Sequence, residues 1–364
     1  MLLFALSLLF HLYVAYGASC RCSSVTIPVH VDALLPKDPM DMYGGLTSNA
    51  SSLRHLDATY NVYGVFCQPV TLSLKNAGVI QLLVHGFTYN SQYWSPPVEE
   101  FRNYSYAAHS CDRGLSSLAI DWVGVGLSSR PANSSDVQFA SCAAAVSQVA
   151  RRLKTASILP GVLLPFTKVI GIGHSAGSGL LTFGAITDGA KSPFDGLILT
   201  GYPIIEPGEL PPISLAPPAR DVDPLRWGDL DPGYITTINS TSTRAVFYPP
   251  DPASFSPRML IFDDFTKDVG TVGTFYQIFT NSLTSQYTGP VAKVIGSEDQ
   301  IFCVGTGRCA NVTALTAAER VPWPAVESLE VVVAQGSGHS MNLDFFANGP
   351  FNTFVHFVNQ FARL

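Results

Sequence analysis

The sequence predicts an α/β chain with a mostly parallel central sheet flanked by helices. Three observations carry that prediction. Apolar runs of strand length recur at 79–84, 115–120, 168–172, 197–200, 291–295 and 329–334, and their near-continuous Val/Ile/Leu content suits strands covered on both faces. Stretches with helical periodicity alternate with several of these runs, the pattern of right-handed crossovers within one sheet. Of 364 residues, 47% are hydrophobic and 13% charged, against roughly 25% charged in ordinary globular chains, so there is ample core and no case for a disordered chain.

Taken in chain order, the first segment stands apart. Leu2 to Phe10 is apolar, and the run continues past His11 to Val14 and ends in the small residues Ala15, Gly17 and Ala18. This reads as a secretory signal peptide over 1–17, although its start lacks Lys or Arg. A membrane anchor needs about 20 apolar residues, and no later stretch is long enough either. Residues 18–201 and 291–364 are expected to form the core. Within it, 135–154 carries Val137, Ala140, Ala144, Val146, Val149 and Leu153 at helical spacing, and 351–363 repeats Phe351, Phe354, Val355, Val358 and Phe361 as an amphipathic closing helix.

Residues 202–290 break the rhythm. Prolines crowd this stretch, and a structureless loop of such length is improbable inside a compact domain. It is expected to be a lid or cap insertion between the sixth and seventh core strands, holding short helices such as 269–280. Its aromatics, among them Trp227, Tyr234, Phe247, Tyr248, Phe275 and Phe279, either line a pocket or form a small core of the insertion's own.

Export is also expected from the remaining composition. Asn-x-Ser/Thr acceptors stand at Asn49, Asn103, Asn133, Asn239 and Asn311, and glycans there would compensate for scarce surface charge. The 7 cysteines show neither a Cys-x-x-Cys pair nor zinc spacing, so disulfides are their natural use. Cys303 and Cys309 close a short loop and are expected to pair; an odd total leaves at least one thiol over. With 21 Lys+Arg against 27 Asp+Glu, a net charge of −6 and no basic run, nucleic-acid binding is disfavoured.

The chemistry-bearing motif is Gly173-His174-Ser175-Ala176-Gly177, which follows the apolar run at 168–172 and precedes the small-residue stretch 179–186. A serine hydroxyl is a poor nucleophile unless it is held out of the chain and offered to a base. A sharp turn between strand and helix does this, and flanking glycines leave room for the crowded backbone.

With this motif in that context, the sequence resembles the α/β-hydrolase family, as a secreted esterase- or lipase-like member. Val84-His85-Gly86-Phe87 is similar to the family's oxyanion loop, which implies that the backbone N–H groups of Phe87 and Ala176 bind the developing negative oxygen. His85 itself is then structural. Asp121-Trp122-Val123-Gly124-Val125-Gly126-Leu127-Ser128 is similar to the family's Asp-x-x-Gly-x-Gly-x-Ser turn and is assigned to shaping the fold. Gly336-Ser337-Gly338-His339 matches the catalytic-histidine loop, so His339 is expected to be the base. The resemblance places the acid three residues after Gly296, at Asp299, with Glu298 as the rival.

The resemblance implies a secreted serine hydrolase cleaving a carboxylic ester through an acyl-enzyme. It implies no metal or cofactor, and a small-molecule or lipid-like ester as substrate. A peptidase, a thioesterase, a carbon–carbon bond hydrolase or a hydrolase of specialised metabolism would use the same triad, whereas an epoxide hydrolase or dehalogenase would need an aspartate in place of Ser175. A non-catalytic binding protein on this scaffold is the alternative of a different class. Oligomeric state is not readable.

Overall fold

The computed structural model describes residues 19–71, 75–205, 216–239 and 244–364. The expected leader at 1–17, the stretches 206–215 and 240–243 of the expected insertion, and the side chain of Phe279 lie outside the described residues.

The chain opens with two long antiparallel strands, β1 (Cys20–Pro36) and β2 (Leu53–Pro69). Their length was not anticipated, yet Val25, Ile27, Val29 and Val31 alternate with outward residues in β1, the period-2 signal of a strand with one buried face. The parallel part follows as β3 (Val79–Val84), β4 (Ser116–Ile120), β5 (Lys168–His174) and β6 (Gly196–Thr200). Between them run α1 (Tyr106–Cys111), α2 (Phe139–Thr155) and α3 (Ala176–Asp188).

After β6 the described parts of residues 202–290 hold α4 (Ala219–Val222), α5 (Pro224–Trp227), β7 (Tyr234–Ile235), α6 (Pro257–Thr266), β8 (Gly270–Thr271) and α7 (Val272–Tyr276). The main sheet then resumes with β9 (Val291–Gly296), α8 (Val312–Arg320), β10 (Leu329–Ala334) and α9 (Asn348–Phe361). Its order is β1-β2-β4-β3-β5-β6-β9-β10, with β2 antiparallel to both neighbours and the rest parallel.

Consecutive strand residues explain the unbroken apolar runs. Leu82 and Leu199 pack into one hydrophobic cluster, and their chain neighbours Leu83 and Ile198 into the other. The first cluster takes Val146, Val149 and Leu153 of α2; the second takes Phe351, Phe354 and Val358 of α9. β10 sits at the sheet's edge and is only half-buried. The described aromatics of residues 202–290 form no cluster of their own: Trp227, Tyr234 and Tyr287 join the first cluster, Phe247 and Tyr248 the second.

Boundaries shift where local capping overrides periodicity. α2 starts at Phe139, behind a separate 3₁₀ turn at Ser134–Asp136, because Ser141 and Gln138 form a capping box there. The helix expected at 269–280 is broken: Gly270–Thr271 pairs with Tyr234–Ile235, and the Thr271 hydroxyl caps α7 by accepting the Thr274 N–H.

Cys303 and Cys309 are bonded as expected, with further bridges Cys20–Cys111 and Cys22–Cys67; Cys142 is free and buried. All of Asn49, Asn103, Asn133, Asn239 and Asn311 are exposed. No described helix is long and apolar enough to cross a membrane.

Register decides where the site forms. Val84 lies opposite Gly173, His174 opposite Thr200, Thr200 opposite Val294, and Gly296 opposite Ala334. The carboxyl ends of β3, β5, β6, β9 and β10 are therefore level, and the segments leaving them emerge along one edge, where open α/β sheets place their ligand crevice.

Candidate active site

β5 ends at His174 and α3 begins at Ala176, so Ser175 alone makes the turn. Its φ is 51° and ψ −120°, a left-handed conformation that costs a non-glycine residue on the order of 1–3 kcal/mol. Among described non-glycine residues only Thr88, at φ 60°, shares a positive φ. The turn is held by the Ser175 N–H donating to the Thr200 carbonyl at 2.8 Å and the Gly179 N–H to the Ser175 carbonyl at 3.0 Å. Glycine is obligatory on either side: a Cβ on Gly173 would stand 2.5 Å from the Ser178 nitrogen, and one on Gly177 2.3 Å from the Val84 and His85 carbonyl oxygens. Between residues 169 and 185, Ser175 is the one residue that is not buried.

It opens into a cavity of about 40 Å³ whose lining includes Ser175, Ala176, Phe87 and His339. No described hydrogen bond joins the Ser175 hydroxyl to His339; both residues line the same cavity, and such bonds are often long or absent before substrate tightens a site. The N–H groups of Phe87 and Ala176 have no acceptor among the described hydrogen bonds, although both residues are buried. Buried backbone donors are nearly always paired. Both residues line the cavity beside Ser175.

His339 and Asp299 are both buried, and His339 Nδ1 lies 2.8 Å from Asp299 Oδ2. The other carboxylate oxygen accepts the N–H groups of Ile301 and Phe302 at 2.8 and 3.1 Å, which fixes Asp299 and leaves Oδ2 for the imidazole. In the tautomer whose Nδ1–H donates to Asp299, the His339 ring keeps Nε2 as a free acceptor. Glu298 is not brought to this pair; it is half-buried and accepts from the Ser297 hydroxyl at 3.3 Å.

Supporting groups missed in the sequence complete the site. Asp344 accepts the Gly338 and Phe346 N–H groups at 2.9 Å each, anchoring the turn before His339. Burial pushes its carboxyl up to about 7, against the opposing pull of those hydrogen bonds. Because the folded value lies above the unfolded one, its stabilising contribution is complete below about pH 4 and is lost as pH rises through about 7. Asp344→Asn is expected to flatten the fall of Tm between pH 5 and 7; an unchanged slope in thermal melts would count against this assignment.

His174 was legible only as a neighbour of Ser175. It is fully buried, stacked on Tyr93 at 4.4 Å, with its ring centre 5.0 Å from that of His339. Burial, reinforced by His339 and His85, holds its pKa well below the usual value, so it stays neutral beside the His339 ring. His85 is likewise buried, stacked on Trp122, with its pKa pushed by burial to about 3. Its Nε2 accepts the Trp122 N–H at 3.4 Å and its Nδ1–H faces the Gly86 carbonyl at 2.9 Å, a packing role. Asp121 accepts the Ser91 and Leu127 N–H groups at 2.7 and 2.9 Å and holds its turn closed.

The two sides of the cavity differ in origin. Phe87 and Tyr89 come from the segment after β3, whereas Phe247, Phe275 and Ile278 come from residues 202–290. Tyr93 and Trp94 are buried behind this wall. The assembled space brings together a hydroxyl, an oriented imidazole and two amide donors.

A family model described as "Alpha/beta hydrolase family" matches residues 81–347. No curated protein sequence matches. Among solved structures, an esterase from Exiguobacterium antarcticum is similar at 17% identity and a TM-score of 0.52, covering 82% of this chain and 96% of that one. An esterase from Thermogutta terrifontis is similar at 12% identity and a TM-score of 0.54, covering 92% and 99%. An epoxide hydrolase from Vigna radiata is similar at 14% identity and a TM-score of 0.51, covering 83% and 95%. At such identities the likeness concerns the fold.

Proposed function

The chain belongs to the alpha/beta hydrolase family, and from that premise we propose that it is an exported serine hydrolase cleaving carboxylic esters with a small acyl group. One observation carries the reading: the strained Ser175 opens into the cavity that His339, backed by Asp299, and the unpaired Phe87 and Ala176 amides also line or face. In the proposed reaction the Ser175 hydroxyl attacks the ester carbonyl while His339 takes its proton, and the two amides receive the oxyanion. The tetrahedral intermediate collapses, His339 returns the proton to the departing alcohol, and an acyl-serine remains. Water activated by the same imidazole then releases the acid. Esterases and an epoxide hydrolase share the fold, and Ser175 favours the former, since epoxide opening in this family needs a carboxylate at the turn.

The small acyl group follows from space. A cavity of about 40 Å³ holds only a few water-sized groups, one needing roughly 10–15 Å³, and its walls are aromatic and aliphatic. Short p-nitrophenyl esters such as the acetate and butyrate are therefore expected to turn over faster than the dodecanoate. Equal or faster turnover of the long ester would overturn the small-acyl assignment, and failure of a fluorophosphonate probe to label the protein would overturn the serine mechanism. Export is supported by the five exposed glycan acceptors and the three bridges; a mobility shift after endoglycosidase treatment tests it.

A further inference from the structure

Residues 244–248 touch three of the loops that build the site, those carrying Phe87, Asp299 and His339. The Arg244 guanidinium donates to the Thr88 hydroxyl at 3.1 Å, next to Phe87 and at the other described non-glycine residue of positive φ, and lies 4.5 Å over the Tyr89 ring. The Phe247 carbonyl accepts the Ser340 N–H at 2.8 Å, one residue past His339. The Tyr248 and Ala245 carbonyls accept from the Gln300 amide at 2.8 and 3.4 Å, one residue past Asp299. A Cβ on Gly338 would stand 2.6 Å from the Pro249 nitrogen, so this segment lies directly against the histidine loop.

The segment is itself pinned by a buried ion pair. Arg244 and Asp263 meet through two bonds of 2.8 and 2.5 Å and are 0% and 3% exposed. Asp263 also accepts the Tyr248 hydroxyl at 3.0 Å and, at a longer 3.5 Å, that of Tyr89. Tyr89 continues to the Ser340 hydroxyl at 2.8 Å, which faces His174 Nε2 at 3.5 Å. Desolvation offsets most of what such a pair gains, and apolar replacements of both partners are often no less stable. Such a pair is therefore suited to fixing geometry more than to adding stability.

Building on the serine-hydrolase reading, we propose that Arg244 and Asp263 are positioning residues: they hold 244–248 as a fixed brace that sets the Phe87 amide and aligns the Asp299 and His339 loops. Residues 244–248 then complete the catalytic geometry from a constant position instead of merely covering the substrate.

The test compares an ester with its thionoester, whose sulfur accepts hydrogen bonds weakly and draws less from the oxyanion donors. In Arg244→Met/Asp263→Leu the ester kcat is expected to fall roughly 10- to 100-fold with KM little changed, the thionoester rate much less, and the Tm to stay near the wild-type value. A folded double variant with the wild-type ester kcat would overturn the brace, and one with a lowered kcat but the wild-type ester-to-thionoester ratio would overturn its hold on the Phe87 amide. Should the double variant fail to fold, Thr88→Val, which removes one hydroxyl, decides: a lowered ratio supports the proposal and an unchanged ratio overturns it. Wild-type protein that resists fluorophosphonate and hydrolyses neither substrate would instead sink the serine-hydrolase reading.

Discussion

Replacing Ser175 with alanine is expected to abolish fluorophosphonate labelling and to cut ester turnover by at least about a thousandfold; loss of a triad serine costs up to about 10⁶ in comparable systems. The fold is expected to be unaffected. Alanine meets the same steric cost at φ 51° that serine does, and no described hydrogen bond uses the Ser175 hydroxyl, so a matching Tm separates chemistry from stability. Turnover within about tenfold of wild type would place the nucleophile elsewhere and remove the acyl-enzyme mechanism.

The second large effect concerns the acid. In Asp299→Asn the amide oxygen is expected to keep the Ile301 and Phe302 N–H groups, because two donors already face that position. The amide NH₂ then points at His339 Nδ1, which must become an acceptor. The ring proton moves to Nε2, the atom that has to receive the serine proton, and kcat is expected to fall by about 10⁴. Glu298→Gln is expected to change kcat by less than about threefold, since Glu298 contacts Ser297 and not the imidazole. Steady-state kinetics on both variants decide the matter; a larger loss from Glu298→Gln would reverse the assignment.

Much of this was readable from the sequence because the parallel strands are buried on both faces, so their runs are apolar without interruption. The turn at Ser175 was legible for a related reason. Only glycine fits at Gly173 and Gly177, where backbone passes within 2.5 Å of any added Cβ, so the crowding leaves its mark in the residue types. His339 and Asp299 needed the family resemblance, since a loop histidine and one of two adjacent acids carry no local signal; the distance of 2.8 Å supplies the distinction.

What stayed hidden rests on long-range pairing. Arg244 and Asp263 are separated from Thr88 by more than 150 residues and sit in a proline-rich stretch without periodicity. Asp344 looks like any surface acid until its loop folds back on Gly338. The break in the helix expected at 269–280 was hidden for a different reason: a threonine cap competes with helix continuation, and composition does not register that competition.

The unpaired Cys142 gives the molecule a thiol that reports on its own integrity. It is 0% exposed on α2, and burial raises its pKa to about 12, so it is inert toward a thiol-reactive dye while the native packing lasts. Denaturation without reductant releases that single sulfhydryl, and reduction then frees the other six. Counting titratable sulfhydryls as none, one or seven thereby grades any preparation as native, unfolded but oxidised, or fully reduced, with no label introduced.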